Sequence, residues 1–229
     1  LAAEDVIGLT SGVVAISAGF NHTCVLTTGG GVKCWGSNAS GQLGFVGASQ
    51  IDRPPSSAID FGSPMKATSI SADGVYAPEV PRDHTCASFS GGAVRCWGYP
   101  QAGQLGIGNS TTRNAPPLQK TQLPSSIKQA TSGTLHNCAV SKGGSVYCWG
   151  WNGYGQLGDG STTSSSAAQN QIDLASSSPA ELVTAGFEHT CVLLKNHSVK
   201  CWGNNNAGQL GVPLHTLTLL APMRVPVAL

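Results

Sequence analysis

The feature that most constrains this chain is a motif that occurs four times. Each copy contains a His two positions before a Cys, a second Cys ten positions later within a Cys-Trp-Gly triplet, and a Gly-Gln-Leu-Gly run. The copies are Ala15–Gly44, Asp83–Gly106, Leu135–Gly158 and Glu188–Gly211, and their first cysteines lie 62, 52 and 53 residues apart. Self-similarity at a period of this length indicates a repeat architecture.

Each copy predicts a β-hairpin that is buried on both faces. Val25 and Leu26 are adjacent apolar residues, so both faces of their strand need a cover. Gly29 and Gly30 mark the turn. Because the number of residues between the two cysteines is odd, we expect a three-residue loop or a bulge there. Charged residues make up only 10% of the chain, which suits short strands and turns better than amphipathic helices.

The expected fold is all-β, with four blades of short antiparallel strands arranged as in a β-propeller. We assign residues 1–229 to a single repeat domain, with blades at about 11–65, 66–125, 126–180 and 181–229. Four blades can close into a small ring, remain an open arc of a larger ring, or be completed by neighbouring copies. Both ends of the chain are apolar, at Val6–Leu9 and Met223–Leu229, which favours docking of these ends.

The repeated residues also carry a family resemblance. The pattern His-Thr-x-x-Leu, Gly-x-Val-x-x-Trp-Gly and Gly-Gln-Leu-Gly resembles the regulator of chromosome condensation repeat. Members of that family are usually seven-bladed propellers, and they include an exchange factor for the GTPase Ran, a plant ultraviolet-B photoreceptor and a bacterial β-lactamase inhibitor. This chain differs in having four repeats and a Cys pair in each, so the resemblance implies a secreted, disulfide-bonded variant.

The eight cysteines predict one disulfide within each hairpin. Directly opposed residues of antiparallel strands have the Cα separation that a disulfide needs. The predicted pairs are Cys24–Cys34, Cys86–Cys96, Cys138–Cys148 and Cys191–Cys201. Zinc ligation together with His22 and free thiols are the alternatives, but the usual Cys-x2-4-Cys knuckle is lacking. We expect no metal and no other cofactor. Persistent disulfides predict a secreted or cell-surface protein.

The repeated histidines are predicted to be structural rather than catalytic. His22, His84, His136 and His189 occur once per copy, whereas an active site uses a single constellation. The four Trp residues of the Cys-Trp-Gly triplets are expected to pack between blades. Neither a nucleophile elbow nor a carboxylate pair is visible in the sequence, so we expect that the chain is not an enzyme.

Surface features suggest glycosylation and one binding loop. Asn-x-Ser/Thr sequons occur at Asn38, Asn109, Asn196 and Asn21, of which the last adjoins a strand. An insertion in the second copy, Asp73–Asp83, carries Tyr76, Glu79 and Arg82. Long loops on a repeat scaffold often carry binding residues, although a tolerated surface insertion is the alternative.

These observations predict a non-enzymatic extracellular or cell-surface structural or adhesive protein that self-assembles head to tail and is glycosylated. The alternative is a secreted binding or inhibitor propeller that captures a protein partner. A Ran-type exchange factor is disfavoured, because it needs reduced thiols and a complete ring. The formal net charge of +1 gives no reason to expect nucleic-acid binding. No apolar run approaches the length of a transmembrane helix.

Overall fold

The computed structural model describes residues 4–62, 64–75, 82–111, 119–124, 126–213 and 216–224. Within these ranges the chain forms four antiparallel sheets and no helix, which confirms the all-β prediction. Each sheet contains one copy of the repeated motif and corresponds to one blade.

The strands follow one another in space as they do along the chain. Blade 1 contains β1 (Val13–Ala18), β2 (His22–Thr27), β3 (Val32–Ser37) and β4 (Gln50–Ile51). Blade 2 contains β5 (Ala67–Asp73), β6 (His84–Phe89) and β7 (Val94–Gly98), and blade 3 contains β8 (Ile127–Ser132), β9 (His136–Ser141) and β10 (Val146–Gly150). Blade 4 contains β11 (Ala180–Ala185), β12 (His189–Leu194), β13 (Val199–Asn204) and β14 (Thr218–Arg224). The exact blade boundaries and the single-domain assignment remain a proposal.

The hairpin geometry follows from the glycines of the turn. The Thr27 amide donates to the Gly31 carbonyl at 2.9 Å, which leaves a three-residue loop, and Gly30 has φ +81°. A residue with a side chain adopts that conformation only at a cost. The loop confirms the prediction from the odd spacing, and it places Cys24 directly opposite Cys34.

All four predicted disulfides are formed in the structure, and every cysteine belongs to one of them. The Cα atoms of each pair are 4.1 Å apart. This close approach is typical of opposed residues that do not hydrogen-bond to each other. Each bridge therefore joins neighbouring strands of the same blade.

The hydrophobic core is divided into three clusters, one at each junction between consecutive blades. Leu43 of blade 1 packs with Phe89 and Trp97 of blade 2, and the same arrangement recurs at the next two junctions. Trp97, Trp149 and Trp202 are fully buried there, in line with the packing role expected for them. The first strands β1, β5, β8 and β11 pack against one another in that order and form the inner edge of the assembly.

The described part of the chain is an open arc rather than a closed ring. Trp35 is only half-buried, because no described residues form a blade against the face of blade 1 on which it lies. On the opposite end, Leu182 and Met223 of blade 4 are 42% and 45% exposed. The closed four-bladed ring, one of the three arrangements that the sequence left open, is therefore not formed by the described residues.

Candidate functional site

A hydrogen-bonded belt runs through the three junctions and fixes the positions of the loops above it. At the first junction, His22 Nε2 donates to Thr85 Oγ1 at 2.8 Å, and Thr85 Oγ1 donates to the Gln42 carbonyl at 2.9 Å. Trp97 Nε1 donates to the same carbonyl at 2.8 Å. This belt uses the His, Gln and Trp of the repeated motif and a Thr or Asn next to the His.

The second and third junctions repeat the belt with the same geometry. His84 donates to Asn137 at 2.9 Å, and His136 donates to Thr190 at 3.0 Å. The carbonyls of Gln104 and Gln156 accept from the corresponding side chains. The structural role predicted for these three histidines is thus visible in their contacts.

Burial keeps these histidines neutral. It lowers the pKa of His22 to about 3, with a smaller contribution from the nearby His84. Burial likewise lowers the pKa of His84 to about 4 and that of His136 to about 3. Because Nε2 carries the proton that each ring donates, Nδ1 is the unprotonated nitrogen, so none of these rings is positioned as a general acid at neutral pH.

Tight Gly-x-x-His turns connect the first and second strands of blades 1, 3 and 4. The Gly186 amide donates to the His189 carbonyl at 2.9 Å, and a Cβ on Gly186 would lie 2.1 Å from the His189 ring. The glycine is needed because the His ring folds over it. In blades 1 and 4 the next residue points outward, so that Phe20 and Phe187 are 53% and 57% exposed, whereas Thr134 of blade 3 is buried.

A cleft of about 860 Å³ opens at this edge, between blades 2, 3 and 4. Arg82 and Val75 border it from the β5–β6 connection, where blade 2 has its insertion. Three aromatic side chains contribute to its lining: Tyr99 after β7, Trp151 after β10 and Phe187 in the β11–β12 turn. Glu188 and several uncharged polar residues complete the wall.

The cleft side chains are held by contacts with each other and with the scaffold. The Arg82 guanidinium lies 5.9 Å from the centre of the Tyr99 ring, within the range of a cation–π interaction. The Tyr99 hydroxyl donates to Gln101 Oε1 at 2.6 Å. Glu188 accepts from Asn204 Nδ2 at 2.8 Å. The cleft thus combines rigid aromatic surfaces with one cation and one anion.

The binding loop predicted from the sequence accounts for only part of the cleft lining. Arg82 of the predicted binding loop lines the cleft, whereas Tyr76 and Glu79 lie outside the described residues. The aromatic residues Tyr99, Trp151 and Phe187 were missed. A signal was present, because the residue after Cys-Trp-Gly is aromatic in the two middle copies and polar in the outer two.

The predicted glycosylation sites have different surroundings. Asn196 is exposed at the tip of the β12–β13 hairpin, Asn21 is exposed in the β1–β2 turn, and Asn109 is half-buried. Asn38 is buried, and its Nδ2 donates to the Phe45 and Ala48 carbonyls. Because a glycan is attached at that nitrogen, the structure contradicts the prediction for Asn38.

The position of Asn38 in the repeat explains its burial. Its Oδ1 accepts from the Leu43 amide at 3.0 Å, and Asn152 and Asn205 make the equivalent bonds to Leu157 and Leu210. The side chain therefore organises the loop that leads into Gly-Gln-Leu-Gly. Asn38 thus has a structural role, and the Ser two positions after it creates a sequon without making the Asn38 nitrogen accessible.

Among the described residues, no group of three or more His, Cys, Asp or Glu side chains could hold a metal ion. The same part of the chain contains no helix with the length and apolar character required to cross a membrane.

Comparison with known proteins identifies the repeat. The regulator of chromosome condensation (RCC1) repeat matches residues 13–42, 127–156 and 181–209 in one form and 143–193 in another. Ultraviolet-B receptor UVR8 of Arabidopsis thaliana is 29% identical over 210 residues, which are 92% of this chain and 45% of the receptor. The probable E3 ubiquitin-protein ligase HERC6 of Homo sapiens is 32% identical over 86% of this chain and 18% of the ligase. The chain thus spans less than half the length of these relatives.

Solved structures agree on the fold. Human WBSCR16 superposes with a TM-score of 0.78 at 22% identity, covering 94% of this chain and 53% of that one. Prp20p from Saccharomyces cerevisiae, a protein described as binding Gsp1p and histones, gives a TM-score of 0.74 at 21% identity over 93% and 51% of the two chains. The four motif copies and the matched repeat segments together show that the chain belongs to the family of RCC1-repeat proteins.

Proposed function

We propose that this chain is a non-enzymatic protein-binding module that works outside the cell or at its surface. The observation that carries the proposal is the aromatic cleft on a scaffold with a disulfide in every blade. Trp, Tyr and Arg are the side chains that most often dominate binding energy at protein interfaces. Trp151 and Arg82 supply two of them within one concave surface, and the buried Tyr99 supports Arg82 from below.

The arrangement of charges supports recognition of a protein chain. Arg82 and Glu188 lie on different loops around the aromatic residues. Complementary charges orient a partner and reject wrong ones, while the aromatic residues supply the affinity. We propose that Tyr76 and Glu79 extend this surface from the same insertion.

The lining favours binding over catalysis. Its ionisable residues in the described ranges are Arg82, Tyr99 and Glu188, and Glu188 already accepts a hydrogen bond from Asn204. The described lining residues include no His, Cys, Asp or Lys, which are side chains that commonly transfer protons or act as nucleophiles.

The compartment follows from the disulfides. Intramolecular bridges of this kind persist in oxidising environments and are rare in the cytosol. We therefore propose secretion or display at the cell surface. The test is alkylation of the native protein: none of its eight cysteines should react before reduction, and all should react after it. Eight reactive thiols in freshly isolated protein would refute the assignment.

Binding through the cleft is tested with matched variants. The native protein and a Trp151→Ala, Phe187→Ala double variant are used to capture partners from the extracellular fraction of the source tissue, and the captured protein is then titrated. We expect the double variant to bind at least about a hundredfold more weakly, because two hot-spot side chains are lost. Val46→Ala is the control, since Val46 is 80% exposed in a loop away from the cleft. Equal affinity for all three proteins would remove the cleft from the proposal.

Adhesion by self-assembly is a second candidate function. Exposed apolar side chains such as Ile16, Phe20 and Leu182 favour it, because contacts that cover apolar surface are stabilising. We propose that glycans, if the source glycosylates the chain, are carried by Asn196, Asn21 and Asn109. Mass spectrometry before and after deglycosylation tests these positions, and an unchanged mass would rule them out.

A further inference from the structure

Two aromatic side chains at the cleft are not required by the repeat. The residue after Cys-Trp-Gly is Tyr99 in blade 2 and Trp151 in blade 3, but it is Ser37 in blade 1 and Asn204 in blade 4. Because the blade forms with either kind of residue at this position, scaffold stability does not explain the aromatic ones. Blades 2 and 3 each lie between two described blades, so neither residue lines the cleft for want of a neighbouring blade.

Trp151 is held in place without the use of its polar group. Its six-membered ring lies against Gly153, where a Cβ would overlap it, and it packs edge to face on Tyr154 with 5.6 Å between the ring centres. The buried Trp residues of blades 2, 3 and 4 each donate their indole N–H to a Gln carbonyl. Trp151 Nε1, in contrast, makes no hydrogen bond within the described part of the chain. Trp151 thus supplies the cleft with a supported aromatic ring and an unused donor.

Two further donors border the cleft. Gln101 Oε1 accepts from the Tyr99 hydroxyl, which leaves the Nε2 hydrogens of Gln101 to donate. Ser164 Oγ accepts from the Asn152 amide, which leaves its own hydrogen to donate. These donors are matched by a ligand whose carbonyl groups are not already paired.

The known ways of binding a segment of a partner make different demands on a surface. Addition of a strand requires a sheet edge, whereas the described lining residues lie outside the strands. A bound helix requires a long apolar groove, but Val75 and Leu135 are the large aliphatic side chains in the described lining. A phosphorylated segment requires a cluster of arginines, and the described lining has Arg82 alone. A polyproline II segment requires aromatic surfaces and donors for its carbonyl groups, because it makes no internal hydrogen bonds.

We propose that the cleft binds a proline-rich segment of a protein partner in the polyproline II conformation, an assignment that depends on the binding function proposed above. The prolines stack on Trp151, and the carbonyl groups of the segment accept from Trp151 Nε1, Gln101 Nε2 and Ser164 Oγ. An acidic residue of the segment pairs with Arg82, which is exposed and has no carboxylate partner among the described residues. The cleft volume of about 860 Å³ suits a short segment rather than a folded domain.

A peptide library tests this assignment. Random peptides of about twelve residues, or roughly four turns of a polyproline II helix, are displayed and selected against the full chain. We expect the enriched peptides to contain prolines that recur with the three-residue period of this helix, together with an Asp or Glu at a constant distance from them. The same selection against Trp151→Ala should enrich no such peptide. Enrichment of peptides without proline, or of none at all, would overturn the proposal.

Titration calorimetry with the most enriched peptide separates the individual contacts. Trp151→Ala should weaken binding at least about a hundredfold, since a hot-spot side chain is lost. Trp151→Phe keeps an aromatic ring but removes the indole N–H, so we expect a loss of about three- to tenfold. Val46→Ala, a change in an exposed loop residue away from the cleft, should leave the affinity unchanged. Unchanged affinity in Trp151→Ala would overturn the proposal.

A charge reversal provides a variant whose folding is checked by its own binding. Arg82→Glu should weaken binding of the acidic peptide about three- to fivefold. Replacement of the acidic residue of the peptide by Lys should restore the affinity for Arg82→Glu and lower it for the native protein. Equal affinities in all four combinations would contradict the proposed contact with Arg82.

The captured partner distinguishes this proposal from the binding function on which it depends. Deletion of the proline-rich segment from that partner should abolish its binding to the native chain. A partner that requires Trp151 but still binds after the deletion would overturn the peptide assignment and leave the binding function intact. Peptide binding without capture of any partner would count against the extracellular binding function alone.

Discussion

His136 and His189 occupy the same position of successive repeats, but only His136 is enclosed by a following blade. His136 is fully buried and bonded to Thr190, whereas His189 is half-buried on the open face of blade 4. Their replacement by Ala should therefore have unequal effects. We expect His136→Ala to lower the free energy of unfolding by about 2–4 kcal/mol, through a cavity and a lost hydrogen bond.

The matched change His189→Ala should lower the free energy of unfolding by less than about 1 kcal/mol. Urea denaturation of both variants measures the difference. Equal losses would show that the belt does not distinguish inner from terminal blades.

Individual residues differ in how well the sequence alone predicts their structural roles. The roles of the repeated Cys, His and Trp were predictable, because four copies of a residue point to the scaffold. Asn38 was misjudged, since a sequon looks the same whether its amide nitrogen faces water or the Phe45 carbonyl. Burial of an asparagine depends on a loop that the motif alone does not define.

At the scale of the element, the hairpin is the most predictable unit. Its turn, register and disulfide depend on residues within about ten positions of one another, so the pattern contains the needed information. The cleft is different, because Arg82, Trp151 and Phe187 come from three blades. These residues come together only when the blades stack, and a sequence motif within one blade contains no information about that stacking.

The four hairpins should differ in their resistance to reductant. Cys191 is half-exposed on the open face of blade 4, whereas the cysteines of the other three bridges are buried. Since thiol–disulfide exchange requires access to a sulfur atom, we expect Cys191–Cys201 to be reduced first. Timed alkylation followed by peptide mass spectrometry gives the order.

Simultaneous reduction of all four bridges would contradict the prediction and indicate that reduction follows global unfolding.

At the scale of the whole molecule, stability should fall as the solution is acidified below about pH 6.5. The three buried histidines remain neutral in the folded state until their pKa values of about 3 to 4, but they bind protons in the unfolded state below its pKa of about 6.5. The unfolded state thus takes up more protons in this interval, so acid favours it.

Two buried carboxyl groups oppose this trend. Burial raises the pKa of Asp73 and Asp83 to about 6, so that they bind protons in the folded state between about pH 6 and 4 and stabilise it there. Three histidines outweigh two carboxyl groups, and the net effect remains a loss. Urea denaturation at about pH 7.5 and pH 5 measures it, and greater stability at the lower pH would refute the account.

The open arc itself could not be chosen from the sequence. The choice between a ring and an arc depends on the angle between consecutive blades, which arises from packing around Trp97, Trp149 and Trp202. The repeat count limits the possibilities but does not set that angle.

Every disulfide lies inside a single blade, so consecutive blades are joined only by the polypeptide connection and by non-covalent contacts. A molecule pulled from its two ends would therefore separate at the junctions first, while each crosslinked hairpin stayed closed. The segment between two bonded cysteines, which are ten positions apart in every repeat, cannot be extended while the bond is intact. The molecule would therefore lengthen in steps under load.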